Sequence, residues 1–149
     1  MYKTIVVDID GTISSCEHRL HYVTTKPKNW KAFYAGMEHD LPIQPVIDAI
    51  YSMYIIGYDV VFCTGRPEEY RKITKEWIVK NTIFVADDNL YMRPSKDNRA
   101  DNIVKEELLD KIIADGYNPV IAFEDRGRVI EMYRRRGLYV FNTNQGEDF

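Results

Sequence analysis

Cysteine is scarce in this chain. Cys16 and Cys63 are the only two among 149 residues, and so distant a pair excludes a disulfide-stapled scaffold. Cys63 closes the apolar run Val60-Val61-Phe62 and reads as a small core residue before it reads as a nucleophile. Long hydrophobic runs are missing too. Nothing approaches the roughly 18 consecutive apolar residues of a membrane span, so no membrane partner is expected. The first residues run straight into a β-branched stretch, leaving no room for a signal peptide, and the expected location is the reducing cytoplasm. Positive charge is not in excess either. A formal net charge of −3 argues against a general electrostatic grip on nucleic acid but leaves room for a local basic patch. Repeats and low-complexity tracts are absent.

What is present is an ordinary soluble composition, 45% apolar and 29% charged, in a length suited to one domain spanning residues 1–149. Thr4-Ile5-Val6-Val7 is a β-branched run closed by acidic residues and Gly11. Comparable runs are Tyr58–Cys63, Pro119–Phe123 and Leu138–Phe141, with a weaker one at Asn89–Met92. Between them the apolar period becomes helical. Val46, Ile47, Ile50, Met53 and Tyr54 precede Gly57; Tyr70, Ile73, Trp77 and Ile78 follow Pro67, a favourable first helical residue. Val104, Leu108, Leu109, Ile112 and Ile113 end at Gly116, and Val129, Ile130 and Tyr133 end at Gly137. Strands alternating with helices predict an α/β, Rossmann-like fold: a mostly parallel sheet with helices on both faces. Residues 14–42 interrupt the alternation after the first strand and read as a small cap-like insertion with one short helix near Asn29–Tyr34.

Ligands of such sheets bind at the carboxyl ends of the strands, where Asp8, Asp10, Thr64, Glu124 and Asp125 all fall. Asp8-Ile9-Asp10-Gly11-Thr12 sets two carboxylates two residues apart, both able to turn toward one opening. A carboxylate that attacks phosphorus forms an acyl phosphate and divides hydrolysis into two steps. Close like charges need a cation, and a hard, oxygen-rich site suits Mg²⁺, which also lets an anionic nucleophile approach an anionic phosphate. Asp10 is then placed to protonate the leaving oxygen and afterwards to activate water. Gly11 permits the tight turn and frees backbone N–H groups for phosphate oxygens. The plainer reading is an acidic turn ending a strand. An EF-hand fails because the segment from Ser14 onward lacks the later acidic ligands.

Thr64 offers a hydroxyl to a phosphate oxygen or, more simply, an N-cap to the following helix. Lys105, one turn into a helix, carries positive charge toward the same phosphate unless it is merely solvated. Glu124-Asp125 completes a metal shell or simply ends a strand. Each is weak alone; together they fall where one sheet edge requires them.

In order and over nearly the whole chain, these elements resemble the motifs of the haloacid dehalogenase (HAD) phosphatase superfamily. The resemblance implies Asp8 as nucleophile, Asp10 as general acid/base, Thr64 and Lys105 as phosphate ligands, and a Mg²⁺ held by Asp8, the Asp10 carbonyl and Asp125 with Glu124 in support. Longer stretches are similar to the 3′-phosphatase domain of phage polynucleotide kinase-phosphatases: Thr64-Gly65-Arg66-Pro67, residues 99–107, and Glu124-Asp125-Arg126 through Arg135. That likeness adds Gly65, Arg66, Arg19 and Asp101 to the substrate site, with helix capping as the plainer role for Asp101. No Gly-x-x-x-x-Gly-Lys-Ser/Thr loop is present, so no kinase activity is expected. Glu124 replaces one of two aspartates usual in that domain.

The expected function is therefore a Mg²⁺-dependent phosphomonoesterase working through an aspartyl-phosphate. Its expected substrates are 3′-phosphates of polynucleotide ends or nucleotides, in a nucleic-acid repair setting. A small-molecule phosphatase such as a 5′-nucleotidase, and a non-catalytic module that binds nucleic-acid ends, are the alternatives. Arg134-Arg135-Arg136 reads as helix C-terminal charge, and Trp30, Phe33 and Tyr34 as anchors of the insertion or as a stacking surface.

Overall fold

The computed structural model describes residues 2–146. Its centre is a five-stranded sheet of order β5-β4-β1-β6-β7, built from β1 (Lys3–Val7), β4 (Asp59–Pro67), β5 (Leu90–Arg93), β6 (Asn118–Glu124) and β7 (Tyr139–Asn142). Every adjacent pair is parallel. The chain leaves β1 for β4 and β5 on one side, then returns across the sheet to β6 and β7 on the other. The direction of winding therefore reverses at β1, and the crevice beyond its carboxyl end is the natural ligand position in such a sheet.

Burial of both sheet faces explains the near-continuous β-branched composition of β1. Ile5 and Val7 enter a core shared with Ile47 and Ile50 of α3 (Gln44–Ile55) and Trp77 and Ile78 of α4 (Arg71–Asn81). Val6 points the other way. It packs with Val104, Leu108, Leu109 and Ile112 of α5 (Asp101–Ala114) and with Val129, Ile130 and Tyr133 of α6 (Gly127–Arg135). Each such aliphatic side chain contributes about 1.5–3 kcal/mol on burial, so α5 is held chiefly by its sheet-facing stripe.

One boundary differs from the sequence reading. The second strand runs on through Thr64, Gly65 and Arg66 to Pro67, which is extended (φ −63°, ψ 149°), and α4 begins only after a 3₁₀ turn at Glu68–Tyr70. Pro67 therefore ends a strand where an N1 position was expected. Tertiary pairing decided this, since Pro67 still pairs with Arg93 across the irregular β4–β5 register.

The segment between β1 and α3 is more structured than the single short helix expected. It holds β2 (Ser14–Ser15), paired antiparallel with β3 (Leu41–Pro42), and two short helices, α1 (His21–Thr24) and α2 (Trp30–Ala35). A small core of Cys16, Val23 and Phe33 sits beneath them.

Candidate active site

β1 delivers Asp8 to the crevice, where its backbone N–H donates to the Phe123 carbonyl of β6 at 3.0 Å. Both carboxylate oxygens are engaged: Lys105 Nζ donates to Oδ1 at 2.8 Å and Thr12 Oγ1 to Oδ2 at 2.9 Å. Lys105 also donates to Glu124 Oε2 at 2.7 Å, while Glu124 Oε1 accepts the backbone N–H groups of Asp125 and Arg126, each at 3.2 Å. The second turn of α5 thus reaches across to the ends of β1 and β6 with a fully buried ammonium. Burial favours the neutral amine, but the charges of Asp8 and Glu124 outweigh it and hold Lys105 protonated well above the usual lysine range.

Asp8, Glu124 and Asp125 bring carboxylate oxygens within 4.8 Å of one another. Three carboxylates share one ammonium there. Burial, then the charge of Asp8, raises the proton affinity of Glu124; burial, Asp8 and Glu124 together raise that of Asp125. Such a group is short of positive charge, and an all-oxygen donor set is the kind that a hard divalent cation satisfies. Gly11 belongs to the same arrangement. At φ +81° it occupies left-handed backbone, and a Cβ there would lie 2.1 Å from Asp125 Oδ2, so no larger residue fits beside that carboxylate.

Asp10 faces a different set of partners. Arg66 grips it with two bonds, Nε to Oδ2 at 3.0 Å and Nη2 to Oδ1 at 2.7 Å, and Arg19 Nη2 reaches Oδ1 at 2.5 Å. Burial raises its proton affinity, yet the Arg66 and Arg19 guanidiniums prevail and hold its carboxyl far below the usual range. Both arginines are fully buried and converge on a second carboxylate, Asp40. Arg19 Nε and Nη2 donate to Asp40 at 2.8 and 2.6 Å, and Arg66 Nη2 approaches it at 3.4 Å. Ser14 and His18 also bond to Asp40, and Trp77 Nε1 donates to its backbone carbonyl at 2.9 Å. The Arg19 guanidinium lies 4.2 Å above the Phe33 ring.

Thr64 is buried in β4, not at a helix start, and its hydroxyl accepts the Arg66 N–H at 3.1 Å. The Gly65 carbonyl accepts from Arg93 Nε at 2.8 Å. Asp101 does not cap α5, whose N-cap is Ala100; its carboxylate instead bridges Arg93 and Arg126. A cavity of about 750 Å³ opens over Asp8, Asp10, Thr64, Arg66, Lys105 and Asp125. Glu124, Asp101 and Gly65 line it as well, so nine of the ten site residues expected from sequence share one cavity. Arg19 is the tenth, set behind Asp10.

Two participants were not foreseen. Asp40 reads as a surface acid before Leu41-Pro42, and Arg93 lies at the end of the weakest strand run; nothing local marks either as buried. Arg135 and Arg136 pair with Glu106, and Arg136 also with Asp110, joining α6 to α5 as structural charge.

A model of the polynucleotide kinase PNKP phosphatase domain matches residues 2–149. The chain belongs to that family. Among curated relatives, the PNKP-type chain is 27% identical over 133 residues to a protein of Autographa californica nuclear polyhedrosis virus described as a candidate bifunctional polynucleotide kinase/RNA ligase. The match covers 89% of this chain and 18% of the viral protein. Two solved structures of the Pnkp1/Rnl/Hen1 complex, the second described as an RNA repair complex, contain chains that superpose with TM-scores of 0.80 and 0.78 at 31% identity. They are matched over 99% of this chain and 47% and 44% of theirs. This PNKP-type chain therefore spans less than half the length of these relatives. A class C acid phosphatase from Bacillus anthracis, 13% identical with a TM-score of 0.68 over 95% of this chain and 67% of its own, shares the HAD-like fold. No helix among the described residues is long and apolar enough to cross a membrane.

Proposed function

We propose that this HAD-type phosphatase domain removes 3′-phosphates from polynucleotide ends or nucleotides, with Asp8 as nucleophile and Mg²⁺ as cofactor. One observation carries the reading: both oxygens of Asp8 are oriented by Lys105 and Thr12 at the floor of a cavity that also presents Arg66, Thr64 and a carboxylate cluster. A binding module has no use for a carboxylate aimed at its anionic ligand, whereas an attacking group must be held in this way. Family membership and likeness to chains of an RNA repair complex support a 3′-end substrate.

In the first step Asp8 attacks phosphorus and the bond to the nucleoside 3′-oxygen breaks; Asp10, which the two arginines hold ionised in the free enzyme, takes up a proton from solvent as the substrate phosphate engages Arg66 and passes it to that oxygen. In the second, Asp10 takes a proton from water as the water attacks the aspartyl-phosphate, releasing inorganic phosphate and restoring Asp8. Thr64 and Lys105 hold phosphoryl oxygens, and Arg66 and Arg19 position Asp10. The Asp8 and Asp125 carboxylates and the Asp10 carbonyl would hold Mg²⁺, with Glu124 fixing Lys105 beside them. Bound there, the cation supplies charge neutralisation between nucleophile and phosphate.

Phosphate release from 3′-phosphorylated RNA and DNA oligonucleotides, compared with 5′-phosphorylated ones and 5′-mononucleotides, tests this directly. Release from 3′-ends in Mg²⁺, stopped by chelator, is expected. Turnover confined to 5′-phosphates or to small sugar phosphates would overturn the substrate assignment.

A further inference from the structure

The rim of the cavity is as distinctive as its floor. In a chain of net charge −3, nine cationic side chains line the cavity against seven carboxylates. Lys28, Lys31, Lys96 and Arg128 make no ion pair among the described residues, unlike the buried cations below them. Three stretches far apart in sequence bring these four to one opening: the insertion, the turn after β5, and the start of α6.

Lys96 is held there in an unusual conformation. It sits at φ +66°, the one non-glycine residue with positive φ among those described. The turn is closed by Asp97 N–H donating to the Pro94 carbonyl at 3.2 Å. Its third position, where Lys96 lies, favours glycine or asparagine. A strained residue at the edge of a site calls for a compensating role, and Lys96 lines the cavity.

The aromatic residues of α2 divide their roles. Phe33 is buried beneath Arg19, whereas Trp30 is 43% exposed and lines the cavity. The Trp30 ring meets Phe33 edge-on at 5.6 Å and stacks with Tyr34 at 6.0 Å, and Lys28 Nζ lies 5.8 Å from it. Neighbours therefore fix its orientation while much of it stays open, as a stacking platform requires. An open aromatic ring among cations that make no ion pair is the recognition chemistry of single-stranded nucleic acid.

We propose that this rim is a track for a single-stranded polynucleotide. Trp30 stacks a base, and Lys28, Lys31, Lys96 and Arg128 hold internucleotide phosphates, so that the substrate is a strand end in preference to a free nucleotide. The inference rests on the 3′-phosphatase reading above and narrows it.

The test compares kcat/KM on a 3′-phosphorylated oligonucleotide of about ten nucleotides, within the usual span of single-strand sites, with that on a nucleoside 3′-monophosphate. Wild type, Lys96→Gly and Trp30→Ala are measured at two salt concentrations. Wild type should prefer the oligonucleotide by about tenfold or more. Lys96→Gly relieves the backbone, so its Tm should match or exceed wild type, yet its oligonucleotide preference should fall severalfold with a shallower salt dependence. Trp30→Ala should weaken oligonucleotide turnover by about tenfold. Equal wild-type turnover of both substrates, or a preference and salt slope unmoved by Lys96→Gly, overturns the track while leaving the phosphatase reading intact. Release from neither substrate overturns that reading and the track with it.

Discussion

Asp8 has no free choice of orientation, because Lys105 holds one oxygen and Thr12 the other. Asp8→Asn keeps nearly the same shape and removes the proposed nucleophile; phosphate release should fall at least about 10³-fold, while circular dichroism and Tm stay close to wild type. Appreciable turnover by that variant would exclude Asp8. Cys63 supports the opposite expectation. Burial pushes its thiol up to about 11, so at pH 8 it is a neutral thiol enclosed in the core. Alkylation by iodoacetamide should be negligible in the folded protein and complete after unfolding; rapid labelling of the native state would reinstate Cys63 as a reactive group. At this scale the floor of the site was legible in the sequence, since Asp8, Asp10, Thr64 and Asp125 each lie where an apolar run gives way to polar residues. Lys105 was legible through its motif alone; its burial follows from packing between β1, β6 and α5. Asp40 and Arg93 were not legible, because an exposed acid and an exposed arginine look the same in sequence as buried, paired ones.

The insertion between β1 and α3 owes much of its position to Asp40. That carboxylate accepts from Arg19, Arg66, Ser14 and His18, and its backbone carbonyl binds Trp77 of α4. Asp40→Ala leaves two buried guanidiniums short of a partner, a loss of about 3–5 kcal/mol. For a domain of this length that corresponds to a Tm fall on the order of 10 °C. Activity should fall as well, because Arg19 and Arg66 also hold Asp10. A Tm unchanged within about 1 °C would contradict the anchoring role. Helices α3, α5 and α6 were legible from apolar spacing and terminal glycines, and the edge strand β5 from its run despite its shortness. The start of α4 was misplaced because Pro67 suits the end of a strand as well as the first turn of a helix. The small β2–β3 pair was invisible because two-residue strands carry no periodicity.

Across the whole molecule, two halves of a parallel sheet meet at β1, and the residues they contribute leave three carboxylates with a single ammonium. A divalent cation bound only by the folded chain stabilises it by about 2.7 kcal/mol at a hundred times its dissociation constant. Mg²⁺ should therefore raise Tm saturably, and Asp125→Asn should remove most of the rise; an identical shift in the variant would place the ion elsewhere. The overall α/β arrangement was legible because alternating runs and periods admit few other architectures. The polar crossing between elements was not, since it depends on which charges the packing encloses. In the proposed reaction one carboxylate at the end of β1, that of Asp8, carries the phosphoryl group in transit. Rapid acid quench of the enzyme turning over a 3′-phosphorylated oligonucleotide, followed by peptide mass spectrometry, examines that step. One phosphoryl group on Asp8 is the expected result; the same group found on another residue instead would contradict the proposed mechanism.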